Sequence, residues 1–314
     1  MIKCRFFMPF VLVLLLAPLP SVQAEDGPEP LCFPETNQCL EGIFKLYWEN
    51  YGGLMRFGYP LAPADLEYSV DTNRVVLAQW LERVRMESQP DNPAPYQILS
   101  GRLGDERLRQ LGIDWQTLPR ENGPRAGCLW FPETGHNVCD QERGNGFKTY
   151  WQTHGLRGAG LTTYQGSLAL FGFPLTEARV ETNSSGDTVL MQWFERARFE
   201  WHPNNPRNYK VLLGHLGREV ESNRINNTKA QGDVLAINHT EGVIRLGELH
   251  YAGIDTIVVN PTTIITRQSD GQPITLQDIH PSGGPYANSD QIWALGRMGD
   301  NTQLQAQYVV VLTQ

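Results

Sequence analysis

The sequence predicts an α+β chain: two tandem small α+β repeat units followed by an all-β barrel. Three observations predict this. The stretch Gln192–Glu219 repeats Gln79–Glu106, with 15 of 28 positions identical in a gapless alignment. Ahead of each copy, aromatic residues fall at helical spacing. From Gly232 the composition changes to β-branched and apolar runs separated by turns.

Unit one is expected over 32–112. It opens on Phe33-Pro34-Glu35-Thr36. Phe44, Tyr47, Trp48 and Tyr51 then lie on one face of a helix over Glu41–Tyr51. Gly52-Gly53 stops that helix, as glycine does at a C-terminal cap. In Phe57–Leu61, Gly58 permits an unusual backbone angle and Pro60 fixes another. A strand is expected through Gln79–Glu87, then a turn at Pro90–Pro93. A short helix over Leu103–Leu111 follows, stopped by Gly112.

Residues 113–127 read as a linker rich in Pro, Gly and charge. Unit two, 128–220, repeats the order with Phe131–Thr134, the face of Phe147, Tyr150, Trp151 and His154, and Phe171–Leu175. Its extra residues, mostly the Gly-rich Leu156–Gln165, belong on a surface loop, where binding groups are common. A second linker is expected at 221–231 and the barrel at 232–314. Asp270-Gly271 is a hairpin signal. At the end, Leu304, Ala306, Tyr308, Val310 and Leu312 alternate with Gln303, Gln305, Gln307, Val309 and Val311, a strand with one buried face.

Residues 1–24 read as a signal peptide. Lys3 and Arg5 precede the apolar run Phe6–Leu19, and Ser21–Ala24 ends in small residues suited to cleavage. Removal takes the formal charge from −8 to −10. No later run is long and apolar enough to span a membrane. An acidic chain suits nucleic acid poorly, since that binding draws on Lys and Arg. Four cysteines remain, one close pair per unit. Local disulfides Cys32–Cys39 and Cys128–Cys139 are expected, formed outside the cytoplasm, in a secreted, cell-surface or periplasmic protein. Zinc is the alternative, disfavoured because CxxC spacing is absent.

The units resemble a repeat of exported bacterial proteins of mostly unknown function. The resemblance rests on Phe131–His136, Tyr150-Trp151, Phe171–Pro174 and Phe194–Pro203. Unit one departs from it at Asn37-Gln38 and Ser88-Gln89. More loosely, the units are similar to the LGFP repeat of bacterial envelope proteins, which implies attachment to the cell wall. The segment from Gly232 is similar to a domain of unknown function with an OB-like barrel, through Gly232–Val234, Pro261–Ile264, Asp270–Pro273 and the final strand. None of these resemblances implies a reaction.

Read as one strand, Trp193–Trp201 puts Glu195 on an apolar face with Trp193, Ala197, Phe199 and Trp201. A buried carboxylate needs hydrogen bonds or a cation. Backbone N–H groups of the Phe171–Pro174 turn or an arginine would supply them. The sharper alternative is a glycosidase acid beside sugar-stacking tryptophans, which needs a second carboxylate. Arg196 and Arg198, with Arg83 and Arg85, form a basic stripe, suited either to ion pairs with Glu200 and Glu87 or to acidic wall polymers. Trp115, Trp130 and Trp201 have no counterpart in the other unit and are candidates for sugar contact. His136 and His202, found only in unit two, sit beside turns.

No HExxH, GxSxG or phosphate-cradling loop occurs, and no cofactor or metal is expected. The leading expectation is a non-enzymatic binding protein for cell-envelope or extracellular polysaccharide. The alternatives are a wall- or glycan-active hydrolase using Glu195 or Glu133, and a module that docks to a protein partner.

Overall fold

The computed structural model describes residues 29–158, 160–224, 227–247, 253–282, 289–299 and 302–312. The expected signal peptide lies outside the described residues. The fold is mixed α+β with a closed five-stranded barrel at its C-terminal end.

The chain begins with a hairpin of β1 (Leu31–Phe33) and β2 (Gln38–Leu40). Cys32 and Cys39 face each other across it and form a disulfide. α1 (Gly42–Tyr51) buries Phe44 and Tyr47, as its spacing predicts. Gly52 ends it at φ 122°, and α2 (Gly53–Phe57) starts at once. Four strands then form an antiparallel meander: β3 (Asp65–Ser69), β4 (Arg74–Trp80), β5 (Arg85–Ser88) and β6 (Ile98–Ser100). α3 (Leu103–Gln110) follows, then a 3-10 turn at Trp115–Thr117.

The second segment opens on the hairpin of β7 (Leu129–Phe131) and β8 (His136–Val138). A second disulfide, Cys128–Cys139, closes its ends. All four cysteines are thereby consumed, which removes the zinc alternative. β9 (Asp140–Glu142) and β10 (Asn145–Gly146) lead into α4 (Phe147–Thr153). α5 (Thr163–Phe171) starts inside the stretch expected as a surface loop. Thr162 and Gln165 form a capping box there, which explains the start. A second meander follows, of β11 (Arg179–Thr182), β12 (Thr188–Trp193), β13 (Arg198–Trp201) and β14 (Val211–Leu213), and then α6 (Leu216–Ser222).

Neither Gln79–Glu87 nor Trp193–Trp201 is one continuous strand. Each is two strands joined by a tight corner, closed by Leu81 N–H to Val84 O and Phe194 N–H to Ala197 O, both 2.8 Å. The period-two reading fails because the chain reverses between Trp193 and Arg198.

The two segments share one core. Leu40, Phe44, Phe57 and Met86 pack in the same apolar cluster as Phe131, Trp151, Phe171 and Phe199. They also grip each other reciprocally. The start of α3 packs on the β12–β13 corner, where Gly104 N–H donates to Glu195 O at 3.0 Å. The start of α6 packs on the β4–β5 corner, where Arg218 N–H donates to Glu82 O at 3.0 Å. Only glycine fits: a Cβ on Gly104 would lie 1.8 Å from Phe194 O, and one on Gly217 1.8 Å from Leu81 O.

The barrel consists of β15 (Asn227–Asn238), β16 (Val243–Gly247), β17 (Thr256–Val258), β18 (Ile264–Arg267), β19 (Gln291–Met298) and β20 (Gln303–Val311). β15 starts inside the stretch expected as the second linker. Five strands close in the order β15-β16-β17-β20-β19, with β17 parallel to β20. β18 runs along the same edge of β20 further on.

A bulge between β19 and β20 at Leu295/Gly296 corrects the expected single buried face of the last strand. Leu304 and Ala306 fill the barrel before it. Beyond it Val309 and Val311 fill the barrel instead, while Tyr308 and Val310 turn outward. Those outward residues, with Trp293 and Leu295, pack on Tyr68 and Val75 of the first segment. The Tyr68 and Tyr308 rings stack with centroids 4.0 Å apart. The Gln268 amide donates to Val75 O and accepts from Val75 N–H, each at 2.9 Å.

Candidate functional site

The corner after β12 positions Glu195. Glu195 N–H donates to Phe173 O and Arg196 N–H to Phe171 O, both 3.0 Å, which stitches the corner to the turn Phe171–Pro174. Gly172 sits at φ 74°, and a Cβ there would meet Glu195 Cβ at 2.6 Å. Because the position is bare, the Glu195 carboxylate lies across the turn and accepts from Phe173 N–H at 3.1 Å. Its other oxygen accepts from Arg102 Nη1 at 3.0 Å. Both sources of hydrogen bonds weighed from the sequence, turn N–H and arginine, thus serve it. Glu82 is held in the same way by Tyr59 N–H at 3.2 Å and Arg218 Nη2 at 2.7 Å. Burial works against Glu82 ionising. The Arg218 and Tyr59 hydrogen bonds outweigh it and keep its pKa below the ordinary value.

Glu195 opens onto a recess of about 380 Å³ between the segments. Tyr96, Leu99 and Arg102 line it from the first segment. Leu168, Phe173 and Arg196 are among those lining it from the second. Arg102 also lines a second recess, of about 470 Å³, with Asp105, Arg109 and Trp115. The two recesses meet at Arg102, whose Nε lies 3.4 Å from Asp105 Oδ2. Trp115 Nε1 donates to Asp105 Oδ1 at 2.9 Å, which fixes the indole over the second recess. Taken together as a groove across Arg102, the first recess carries Tyr96 and Phe173 and the second carries Trp115. Guanidinium and carboxylate groups lie between, braced on α3 and the corner. Half-buried aromatic faces beside fixed polar groups suit a chain of sugars, whose faces stack and whose hydroxyls accept and donate hydrogen bonds.

Of the residues singled out in the sequence, Glu195, Arg196 and Trp115 line this groove. Arg196 is tied to Asp71 Oδ2 at 2.6 Å and to Ser100 O. Arg198 does not form an open stripe with it. It is 3% exposed, ion-paired to Glu200 at 2.6 Å and Glu219 at 2.7 Å, and lies over the Trp193 ring. Those two carboxylates outweigh the burial that would lower its pKa and raise it. Trp201 is buried in the shared core. Trp130 is half-buried on β7 and is not among the residues lining the groove. His136 is fully buried, with Nδ1 3.3 Å from Glu177 Oε1. His202 is half-buried, 3.5 Å from Glu200 Oε2, in a narrow recess with Arg198. Glu133 is exposed on the β7–β8 turn. Among the described residues no group of three or more His, Cys, Asp or Glu side chains is placed to hold a metal ion.

Sequence reasoning missed Arg102, Tyr96 and Phe173. One signal was available for Arg102: it aligns with His215, so the two similar stretches differ where the groove is built. The second-segment insertion also reaches the site. Gln165 lines the recess, and Gly158 lies against Pro95.

No family model matches the chain, and no curated protein or solved structure matches it either.

Proposed function

We propose that the chain is an exported, non-enzymatic binding protein that holds a cell-envelope or extracellular polysaccharide along the groove that crosses Arg102. The observation that carries this reading is the pair of recesses that share Arg102, each lined by aromatic side chains and fixed polar groups. We read the two segments as two copies of one fold. Matching hairpins, meanders and carboxylate-over-turn contacts support this, as does the reciprocal grip of α3 and α6. The barrel order, one-two-three-five-four in chain numbering of its five closing strands, supports an OB-like assignment, a fold used for oligosaccharides among other ligands. The resemblance to exported repeat proteins and the two disulfides agree with function outside the cytoplasm.

The test is affinity electrophoresis of the processed protein through gels containing purified wall polysaccharide, beside Tyr96→Ala and Trp115→Ala. Retardation of the wild type, lost in both variants at unchanged melting temperature, is the expected result. Unretarded wild-type protein that is folded would overturn the reading.

A hydrolase is the second reading, favoured by the opening of Glu195 onto a recess. It requires release of reducing ends from wall polymer that disappears in Glu195→Gln. A protein partner captured in place of any glycan would point to the docking module.

A further inference from the structure

Arg109, which lines the second recess, also lines a third and larger one of about 730 Å³ between the first segment and the barrel. One wall is the end of α3 and α6, and the other is the outer face of β19 and β20. The stacked rings of Tyr68 and Tyr308 lie at its base.

Its charges are unevenly answered. Arg85 is bound to Glu87 and Glu106 at 2.6 and 2.8 Å, and Arg224 to Glu67 at 2.7 Å. These pairs are internal to the protein. Two further guanidiniums line it: Arg109, which is paired to Asp105 and also reaches the Tyr308 hydroxyl, and Arg297. Arg109, more than half exposed, shares Asp105 with Arg102 and Trp115. Arg297 on β19 is exposed, and its side chain has no ion-pair or hydrogen-bond partner among the described residues. The barrel has three arginines, no lysine and eight acidic residues from Gly232 onward. β15 adds Lys229, which is tied to Asp65 at 2.6 Å and Glu67 at 3.1 Å, so among the described residues Arg297 is the cation of this wall left without such a pair. Beside it Gln305, its cross-strand neighbour, and Gln307 present amides.

A guanidinium fork matches a carboxylate or phosphate in two parallel hydrogen bonds, and amides suit the flanking hydroxyls. We propose that this third recess is an anion subsite of the same groove, so that the ligand is an acidic polysaccharide carrying carboxylate or phosphate, read by Arg297 and Arg109. The proposal rests on the polysaccharide reading above and adds the class of polymer. A chain lying from Phe173 past Trp115 to Arg297 would touch both segments and the barrel.

The experiment measures binding of the whole processed protein to polygalacturonate, to poly(glycerol phosphate) and to fully methyl-esterified polygalacturonate at low and moderate salt. The esterified polymer keeps the sugar backbone and removes the charge. At least one acidic polymer should bind about tenfold more tightly than the ester, and Arg297→Gln should remove about tenfold of that preference, as should Arg109→Gln. Binding should weaken as salt rises. Which acidic polymer binds more tightly distinguishes carboxylate from phosphate. Trp115→Ala should weaken the two polygalacturonates alike and spare poly(glycerol phosphate), which has no sugar ring to stack. Equal binding of ester and acid, or Arg297→Gln without effect on either acidic polymer, would overturn the anion subsite while leaving polysaccharide binding intact. If folded wild-type protein binds none of the three and no wall polysaccharide, both readings fall.

Discussion

Replacing Gly104 by alanine should destabilise the protein, although alanine is the better helix former. Helix propensity alone predicts a gain of up to about 1 kcal/mol for Gly→Ala. The geometry predicts the opposite. An added Cβ would stand 1.8 Å from Phe194 O, and the obstacle is backbone, not a mobile side-chain end. Restoring van der Waals contact requires α3 to withdraw by about 1.5 Å. The bond from Gly104 N–H to Glu195 O then lengthens beyond use, a loss of about 1 kcal/mol. Overpacking adds a further ~1–3 kcal/mol. The net expectation is a loss of about 1–3 kcal/mol, which lowers the melting temperature by roughly 2–8 °C in a chain of this size. Gly217→Ala should behave alike, since its Cβ would stand 1.8 Å from Leu81 O. Urea denaturation followed by tryptophan fluorescence reads both variants against wild type. A midpoint at or above wild type for either would refute the reciprocal grip as the reason for these glycines.

Other predictions concern charge, the groove and the clips. Burial pushes the Glu67 carboxyl up, but Arg224, Lys229 and Arg85 outweigh it and hold it at about 2, against an ordinary 4.5. Because the folded pKa is the lower one, this stabilisation is complete above pH ~4.5 and is lost as pH falls toward 2. It amounts to about 3 kcal/mol. Glu67→Gln should flatten that stretch of the stability–pH curve, and an unchanged slope would count against the assignment. Arg198→Ala should cost ~3–5 kcal/mol by leaving Glu200 and Glu219 buried without a cation. Its melting curve should therefore move, whereas a surface polymer contact would change binding alone. Trp115→Ala should leave the melting temperature within about 2 °C, because the indole is only half-buried, while polymer retention falls. Reducing the Cys32–Cys39 or Cys128–Cys139 bond should each cost about 2.5 kcal/mol by chain entropy, measured by denaturation with and without reductant.

Much of the local structure was legible because it depends on near neighbours. The helix face of Phe44 and Tyr47, the stop at Gly52 and the cysteine pairing all follow from spacing within a few residues. What depends on distant parts of the chain was not legible. Glu195 could be assigned to an apolar face only by assuming an unbroken strand. The corner that turns it over Gly172 is set by the Phe171–Pro174 turn, about twenty residues earlier. In β20 the alternation was real on both sides of the bulge, but a single added residue exchanges inside for outside. The ion pair of Arg198 with Glu200, two positions on, was legible; its second partner, Glu219, was not, because it lies on a helix that sequence could not place against it. The groove was the hardest feature to see, since Arg102 and Glu195 come from different segments.

The mutual grip of α3 and α6 bears on how the chain could be divided. A cut within 113–127 would leave two fragments, each holding the other's missing helix contact. Neither would bury its own corner alone. Mixed together, they should find one another and rebuild the groove, which makes the joining stretch a tether that sets effective concentration.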